Sequence, residues 1–223
     1  MKRRLFIGAS LLSADMANFE RAIESVIGAV DYIHCDVMDA HFVPNLTFGA
    51  PVIKAIKRVS QGVPLDVHLM IEKPIRWIPR FLETGLGPGD FLTFHSEAES
   101  EPVIGLDLIR TSGVGAGLSV KPKSSIRSWK GLIGKLDQVL IMTVEPGFGG
   151  QAFMRDMLPK ITEARAMFGD KCTIAVDGGI DAATAPDAYR AGADLLIAGN
   201  AVYGKPNPAE AARMIRNACQ ESR

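Results

Sequence analysis

Short apolar runs and longer amphipathic segments take turns along this chain, and that alternation restricts its fold more than any other feature. The strand-like runs are Leu5–Ala9, Tyr32–Val37, Leu65–Leu69, Phe91–Phe94, Gly115–Val120, Gln138–Thr143, Thr173–Val176 and Asp194–Ala198. Between and after them, Asn18–Ile27, Ala50–Val59, Pro74–Glu83, Glu101–Thr111, Met154–Phe168, Ala183–Ala191 and Pro208–Gln220 carry apolar residues at helical spacing, as at Phe19, Ile23, Val26 and Ile27. Ser124–Leu132, after the fifth run, has the weakest helical pattern. Pro51, Pro74 and Pro208 stand near helix starts, where a missing N–H costs little, and Gly85, Gly113 and Gly192 follow helix ends. Strict β-α alternation implies a parallel sheet. Eight such units in 223 residues, with no break in composition, predict a single α/β domain over residues 1–223, a (β/α)8 TIM barrel. A doubly wound sheet would use fewer strands and a G-x-G-x-x-G turn after the first, which this chain does not have.

Charge and composition narrow the function classes. Lys plus Arg and Asp plus Glu number 25 each, so a nucleic-acid partner, which needs a cationic excess, is not expected. Hydrophobic residues at 47% exclude long disorder. Cys35, Cys172 and Cys219 are widely spaced and odd in number, which suits buried thiols rather than a disulfide framework or a cysteine zinc site. The start, Met1 to Asp15, has a basic then apolar character, but Ser10 and Ser13 break the apolar stretch. No run reaches the length of a membrane span. A cytoplasmic protein without a membrane partner is the expectation.

The informative polar residues fall inside strands. His34, Asp36 and Met38 share one face of the second run, and Asp66, His68 and Met70 one face of the third, because strand side chains alternate. Asp177 ends the seventh. In a parallel barrel one face points into the interior, where Asp and His are costly unless paired or liganded. Strand C-terminal ends are where barrel active sites are built. His34, Asp36, His68 and Asp177 therefore make a candidate metal site, and two imidazoles with two carboxylates suit Zn²⁺, Fe²⁺, Mn²⁺ or Co²⁺, one divalent ion per subunit. Met38, Met70 and Met142 fall at or just beyond strand ends and would form a dry collar around it.

Glycine clusters follow the last three strands: Gly147, Phe148, Gly149 and Gly150 after the sixth, Gly178 and Gly179 after the seventh, and Gly199 with Asn200 after the eighth. Glycine lets backbone N–H groups approach an anion, so consecutive C-terminal loops of this kind suggest a phosphate cradle that needs no lysine. The loop after the sixth strand is also long enough to act as a lid. No strand end supplies a clear Schiff-base lysine, which argues against a metal-free aldolase.

Together these residues resemble the ribulose-phosphate 3-epimerase family along nearly the whole chain. The motifs are Ala9-Ser10-Leu11-Leu12-Ser13-Ala14-Asp15, His34-Cys35-Asp36-Val37-Met38-Asp39 followed by His41-Phe42-Val43-Pro44-Asn45, Leu65-Asp66-Val67-His68-Leu69-Met70, Val144-Glu145-Pro146-Gly147-Phe148-Gly149-Gly150-Gln151, and Val176-Asp177-Gly178-Gly179-Ile180. The resemblance implies a ribulose-phosphate-binding type of barrel and an isomerase of carbohydrate metabolism, in the pentose phosphate pathway. It would interconvert D-ribulose 5-phosphate and D-xylulose 5-phosphate through a cis-enediolate. It implies metal ligation by His34, Asp36, His68 and Asp177, with Asp36 and Asp177 also as the acid–base pair. It further implies a sugar contact from Ser10, substrate contacts from His68 and Asp177, and a phosphate held by the backbones of Gly147–Gly150, Gly178, Gly179, Gly199 and Asn200. Barrels of this size often associate, so a homo-oligomer is expected. Three positions depart from the family pattern. Ala40 stands where glycine is usual and would be strained if φ is positive, Asn200 replaces a small hydroxyl residue, and Lys121 opens an unusual turn after the fifth strand. They keep open a related enzyme acting on a longer ketose, such as a D-allulose 6-phosphate 3-epimerase.

Overall fold

The computed structural model describes residues 3–221; Met1, Lys2, Ser222 and Arg223 lie outside it, including the first two residues of the basic start. Strands β1 (Phe6–Ser10), β2 (Tyr32–Met38), β3 (Leu65–Met70), β4 (Phe91–His95), β5 (Gly115–Val120), β6 (Gln138–Met142), β7 (Thr173–Asp177) and β8 (Leu195–Ala198) close into one barrel in chain order. Every neighbouring pair is parallel, and β1 pairs with both β2 and β8. Outside the barrel run α1 (Phe19–Glu24), α2 (Ala50–Val59), α3 (Ile78–Leu82), α4 (Pro102–Thr111), α5 (Leu158–Phe168), α6 (Ala185–Ala191), α7 (Asn200–Tyr203) and α8 (Pro208–Glu221). Among the described residues, no helix is long and apolar enough to cross a membrane.

The (β/α)8 expectation is met, with local differences. The connection after β5 holds a 3-10 helix, Arg127–Leu132, and no α-helix. Gly131 and Gly134 weaken a helix there, and the buried Trp129 and Leu132 seat the segment on the barrel instead. The short α7 is an additional element between β8 and α8. β1 runs one residue further than expected, through Ser10, and β4 runs through His95. Each extension adds one more inward side chain at the carboxyl-terminal end.

Apolar burial fills the space between strands and helices, with Ile7, Ile33, Val67, Leu92 and Ile174 all at zero exposure. Inside the barrel the two walls differ. Leu140, Met142, Val144, Ala175, Leu195 and Ile197 cluster on the β6–β8 side. The β2–β4 side presents His34, Asp36, Asp66, His68, Thr93 and His95, all buried.

At the amino-terminal end a small device repeats. Asp31, Asp90, Asp137 and Asp194 each stand just before an even-numbered strand, and each accepts a backbone N–H from the preceding odd strand: Ile7 at 2.7 Å, Leu65 at 2.7 Å, Ala116 at 3.0 Å and Ile174 at 3.1 Å. A helix supplies the cation each time: Arg216 to Asp31 at 2.8 Å, Lys57 to Asp90 at 2.6 Å, Arg110 to Asp137 at 3.9 Å, and Arg165 to Asp194. These pairs tie helices to strands on the face where barrels carry stability rather than catalysis.

Candidate active site

Register explains why residues far apart in sequence converge. His34 stands beside Asp66, Asp36 beside His68 and Met38 beside Met70 across β2 and β3; Ser10 stands beside His34, and Asp177 beside Met142. All point into the carboxyl-terminal end of the barrel. His34, Asp36, His68 and Asp177 each offer one ligand atom, and these atoms lie within 4.8 Å of one another. His34 and His68 are fully buried, while Asp177 keeps 17% of its side chain exposed and so links the cluster to solvent.

Each imidazole turns one nitrogen to the cluster and is held by the other. His34 Nε2 is 3.0 Å from Asp36 Oδ1, and its Nδ1 is 2.7 Å from Asp66 Oδ2. Asp66 in turn accepts from Gln138 Nε2 at 2.8 Å, and that amide also meets Thr93 Oγ1 at 3.1 Å. His68 Nδ1 is 3.3 Å from Asp36 Oδ1, and its Nε2 is 2.9 Å from His95 Nε2. Ser10 Oγ donates to Asp36 Oδ2 at 2.8 Å. Asp177 Oδ2 is 3.8 Å from His34 Nε2 and 4.0 Å from His68 Nδ1, too long for hydrogen bonds. Two imidazole nitrogens and two carboxylates facing one point at such spacings fit a divalent ion with nitrogen and oxygen preference. Asp66 behind His34 is the outer carboxylate that commonly orients a metal-binding histidine.

The electrostatics are unequal across the cluster. Burial opposes ionisation of Asp36, but the charges and hydrogen bonds of His34 and His68 outweigh it and hold Asp36 below the usual carboxylate range. Burial, with the Asp36 charge beside it, pushes Asp177 up to about 6. Burial would lower His34, yet Asp36 and Asp66 together raise it well above its ordinary value. Two carboxylates pushed apart in this way are suited to opposite acid and base duties.

Above the cluster lies a cavity of about 520 Å³, a size that suits a small metabolite. Asp36 and Asp177 form part of its floor, and Met38, Met70 and Met142 form the collar anticipated from the strand ends. Ser10, the loop from Gly147 through Gly150 with Phe148, Gly178 and Gly179, and Gly199 with Asn200 line the rest. Gly179 has φ +67°, and a Cβ there would sit 2.3 Å from the Phe153 backbone nitrogen, so the chain passes too close for any side chain. His34 and His68 do not border the cavity.

The departures also find places. Ala40 does adopt φ +60°, the conformation in which alanine is strained. Lys121 points its Nζ to the Phe42 ring, 3.8 Å from the centroid, and Phe42 covers His95 at 4.8 Å. Sequence reasoning missed three groups. Lys205 borders the cavity, although the glycine clusters suggested that no lysine was needed. His95 and Glu97 extend the polar chain behind His68, with His95 Nδ1 3.3 Å from Glu97 Oε2. The signal for His95 was its inward parity with Thr93, hidden by ending the fourth strand at Phe94.

Comparison with known proteins adds sequence relatives and structural neighbours. The model of the Ribulose-phosphate 3 epimerase family matches residues 6–203. The ribulose-phosphate 3-epimerase of Bacillus subtilis (strain 168) is 44% identical over 215 residues, covering 94% of this chain and 97% of that protein. That of Mycobacterium leprae (strain TN) is 43% identical over 213 residues, covering 94% and 93%. Among solved structures, KGPDC from Streptococcus mutans, crystallised in a ligand complex, superposes with a TM-score of 0.77 at 15% identity, covering 97% of this chain and 98% of the other. A 3-hexulose-6-phosphate synthase gives a TM-score of 0.73 at 19% identity, covering 96% and 99%. At such identities the likeness is one of fold.

Proposed function

The chain belongs to the ribulose-phosphate 3-epimerase family, and from that premise we propose how its own residues carry the reaction. It is an isomerase that interconverts D-ribulose 5-phosphate and D-xylulose 5-phosphate. One observation supports the assignment of roles above the others: two carboxylates and two imidazoles converge within 4.8 Å at the floor of a glycine-rimmed cavity. His34, Asp36, His68 and Asp177 would hold one divalent ion, of the Zn²⁺, Fe²⁺, Mn²⁺ or Co²⁺ type. When bound, that ion would supply Lewis-acid stabilisation of negative charge developing on the ketose, making the C3 proton easier to remove.

The residues of the chain do the rest. Asp36 and Asp177 come from β2 and β7, so they approach the sugar from different sides. One takes the proton from C3 and the other returns a proton to the opposite face, which inverts the centre. Reversal of the reaction exchanges their duties. Ser10, hydrogen-bonded to Asp36, fixes the orientation of that carboxylate and meets the sugar. Met38, Met70 and Met142 keep water away from the deprotonated carbon. The backbones of Gly147, Phe148, Gly149, Gly150, Gly178, Gly179, Gly199 and Asn200 hold the phosphate at the other end of the cavity, with Lys205 adding a positive charge at its border. We place the working enzyme in the cytoplasm as a homo-oligomer, which sedimentation of the purified protein tests.

Incubation with D-ribulose 5-phosphate in D₂O, after metal loading, is expected to place deuterium at C3 and to form D-xylulose 5-phosphate. Absence of exchange with every one of the four metals overturns the reading. A kcat/KM for D-allulose 6-phosphate that equals or exceeds that for the pentulose would move the substrate to the longer ketose.

A further inference from the structure

His68 can serve the site only if its Nδ1 is free of a proton, because that nitrogen faces Asp36 and Asp177 at 3.3 and 4.0 Å. The ring's proton must then sit on Nε2 and needs an acceptor. The group in reach is His95 Nε2, 2.9 Å away, with both rings fully buried. His95 accepts there only if its own proton is on Nδ1. That nitrogen faces Glu97 Oε2 at 3.3 Å. A carboxylate has no proton to offer and only accepts. Glu97 is itself fixed, since its Oε1 accepts the Lys121 N–H at 2.8 Å and Ser96 Oγ donates to Oε2 at 3.2 Å. Phe42 lies over the buried His95 ring, with centroids 4.8 Å apart. Each hydrogen bond in the series decides the direction of the next.

We infer that Glu97 and His95 are a positioning pair that sets the tautomer of His68, and through it the readiness of the site for a divalent ion. The inference rests on the proposed metal site. It also separates the two histidines. His34 is backed directly by the Asp66 carboxylate, whereas His68 receives its orientation from a carboxylate one imidazole further away. Outer partners of metal-binding histidines commonly change affinity by about 10- to 100-fold when altered.

The test uses a pair of substitutions that reverses the order a structural role would give. In Glu97→Gln, the Lys121 N–H still demands an oxygen, so the amide turns its NH₂ toward His95. That forces the His95 proton onto Nε2, against His68, and drives the His68 proton onto the metal-facing Nδ1. In Glu97→Ala no donor is introduced, and His95 keeps its tautomer. Zn²⁺ affinity, read by competition with a chromophoric chelator, is expected to fall about 10-fold or more in Glu97→Gln and by less in Glu97→Ala. Long-range ¹H–¹⁵N spectra of the zinc-loaded wild type should show His95 protonated at Nδ1 and His68 at Nε2. Thermal melting of both variants, read beside the affinities, separates loss of fold from loss of ligation. Equal affinities for the glutamine and alanine variants, a weaker alanine variant, or an Nε2-protonated His95 would overturn the positioning role. A wild type that binds no Zn²⁺, Fe²⁺, Mn²⁺ or Co²⁺ would instead overturn the metal site on which it rests.

Discussion

At the amino-terminal end of the barrel, Asp31, Asp90, Asp137 and Asp194 each meet a backbone N–H and a cation from a helix. At the carboxyl-terminal end, Asp36 and Asp177 face two imidazoles, and among the described residues neither pairs with lysine or arginine. The same residue type is thus paired with a cation at one end, while at the other Asp36 relies on a serine and two imidazoles and Asp177 is left without a close partner in the cluster. A buried carboxylate whose partners are complete contributes to stability, and its removal leaves donors stranded. Carboxylates placed together raise one another's cost of ionisation, and that cost is met only when a positive charge arrives between them. The amino-terminal end uses its carboxylates to hold the fold, and on the function proposed above the carboxyl-terminal end keeps its own for chemistry.

The largest effect expected is at the carboxyl-terminal end. Asp36→Asn and Asp177→Asn remove a proton carrier while preserving shape, and each should lower kcat by on the order of 10³-fold. Asp177→Asn should not lower the melting temperature of the metal-free protein, because it relieves the burial and the repulsion that raise that carboxyl, whereas Asp36→Asn should lower it modestly, because ionised Asp36 is held by Ser10, His34 and His68. Proton exchange at C3 in D₂O and thermal melting read the two effects. A loss of stability in Asp177→Asn as large as that of an amino-terminal substitution would erase the contrast between the ends.

Asp90→Ala is the opposite case. Asp90 is 1% exposed, and its loss strands the N–H groups of Leu65 and Gly87 together with the Lys57 ammonium. Lys57 can still reach water, so a loss of about 3 kcal/mol is expected, mostly from the two amides. Activity per folded molecule should stay within about twofold, a small change beside the proton-transfer contribution lost at the other end. Within the ring the effect should follow burial. Asp137 has 44% of its side chain exposed and its cation 3.9 Å away, so Asp137→Ala should cost under about 1 kcal/mol. Urea unfolding of the series checks the order.

On the proposed metal site, metal removal should act on the carboxyl-terminal end alone. At a free Zn²⁺ concentration 100 times its dissociation constant, binding stabilises the fold by about 2.7 kcal/mol. Chelation should therefore lower the melting temperature and abolish turnover in the wild type. The stability change should shrink in Asp36→Asn and persist in full in Asp137→Ala. Equal shifts in all three would place the ion elsewhere.

The two ends were not equally legible in the sequence. The strands could be read because each is a short apolar run bounded by turn residues. His34, Asp36, His68 and Asp177 could be read because ionisable side chains with inward parity violate the expected core pattern. The amino-terminal carboxylates broke no pattern. Asp31, Asp90 and Asp137 precede the expected strands, where aspartate is an ordinary turn residue, Asp194 was read as the first residue of the eighth run although β8 begins at Leu195, and their partners lie on helices distant in sequence. His95 was lost to a strand boundary misplaced by one residue, and boundaries depend on pairing across the sheet rather than on the run itself. The helix expected over Ser124–Leu132 formed as a 3-10 turn because Trp129 and Leu132 find burial without a longer helix. Ala40 was legible through the family resemblance, which puts glycine at that position and so flagged the strain an alanine carries there if φ is positive.

That strain supplies the smallest and most local comparison of the two ends. Ala40 lies in the loop after β2, at the carboxyl-terminal end, with φ +60°; Gln61 lies between α2 and β3, at the amino-terminal end, with φ +52°. A left-handed conformation costs a residue with a Cβ roughly 1–2 kcal/mol, and glycine escapes it while adding about 0.4–1 kcal/mol of unfolded-chain entropy. Ala40→Gly and Gln61→Gly should therefore each stabilise the protein by about 0.5–1 kcal/mol. Their effects on activity should differ. The loop of Ala40 is pinned by Asp39, which accepts the N–H groups of His41, Phe42 and Glu72, and by Asn45, which donates to the Gly147 carbonyl at 2.7 Å. It thereby sets both the Phe42 cover and the glycine-rich loop. A glycine there frees the hinge between these anchors, so KM should rise modestly while kcat holds, whereas Gln61→Gly should leave both constants unchanged. If Ala40→Gly proves destabilising, the Asp39 anchors rather than the backbone angle govern this loop, and the carboxyl-terminal end is held by its own completed carboxylate after all.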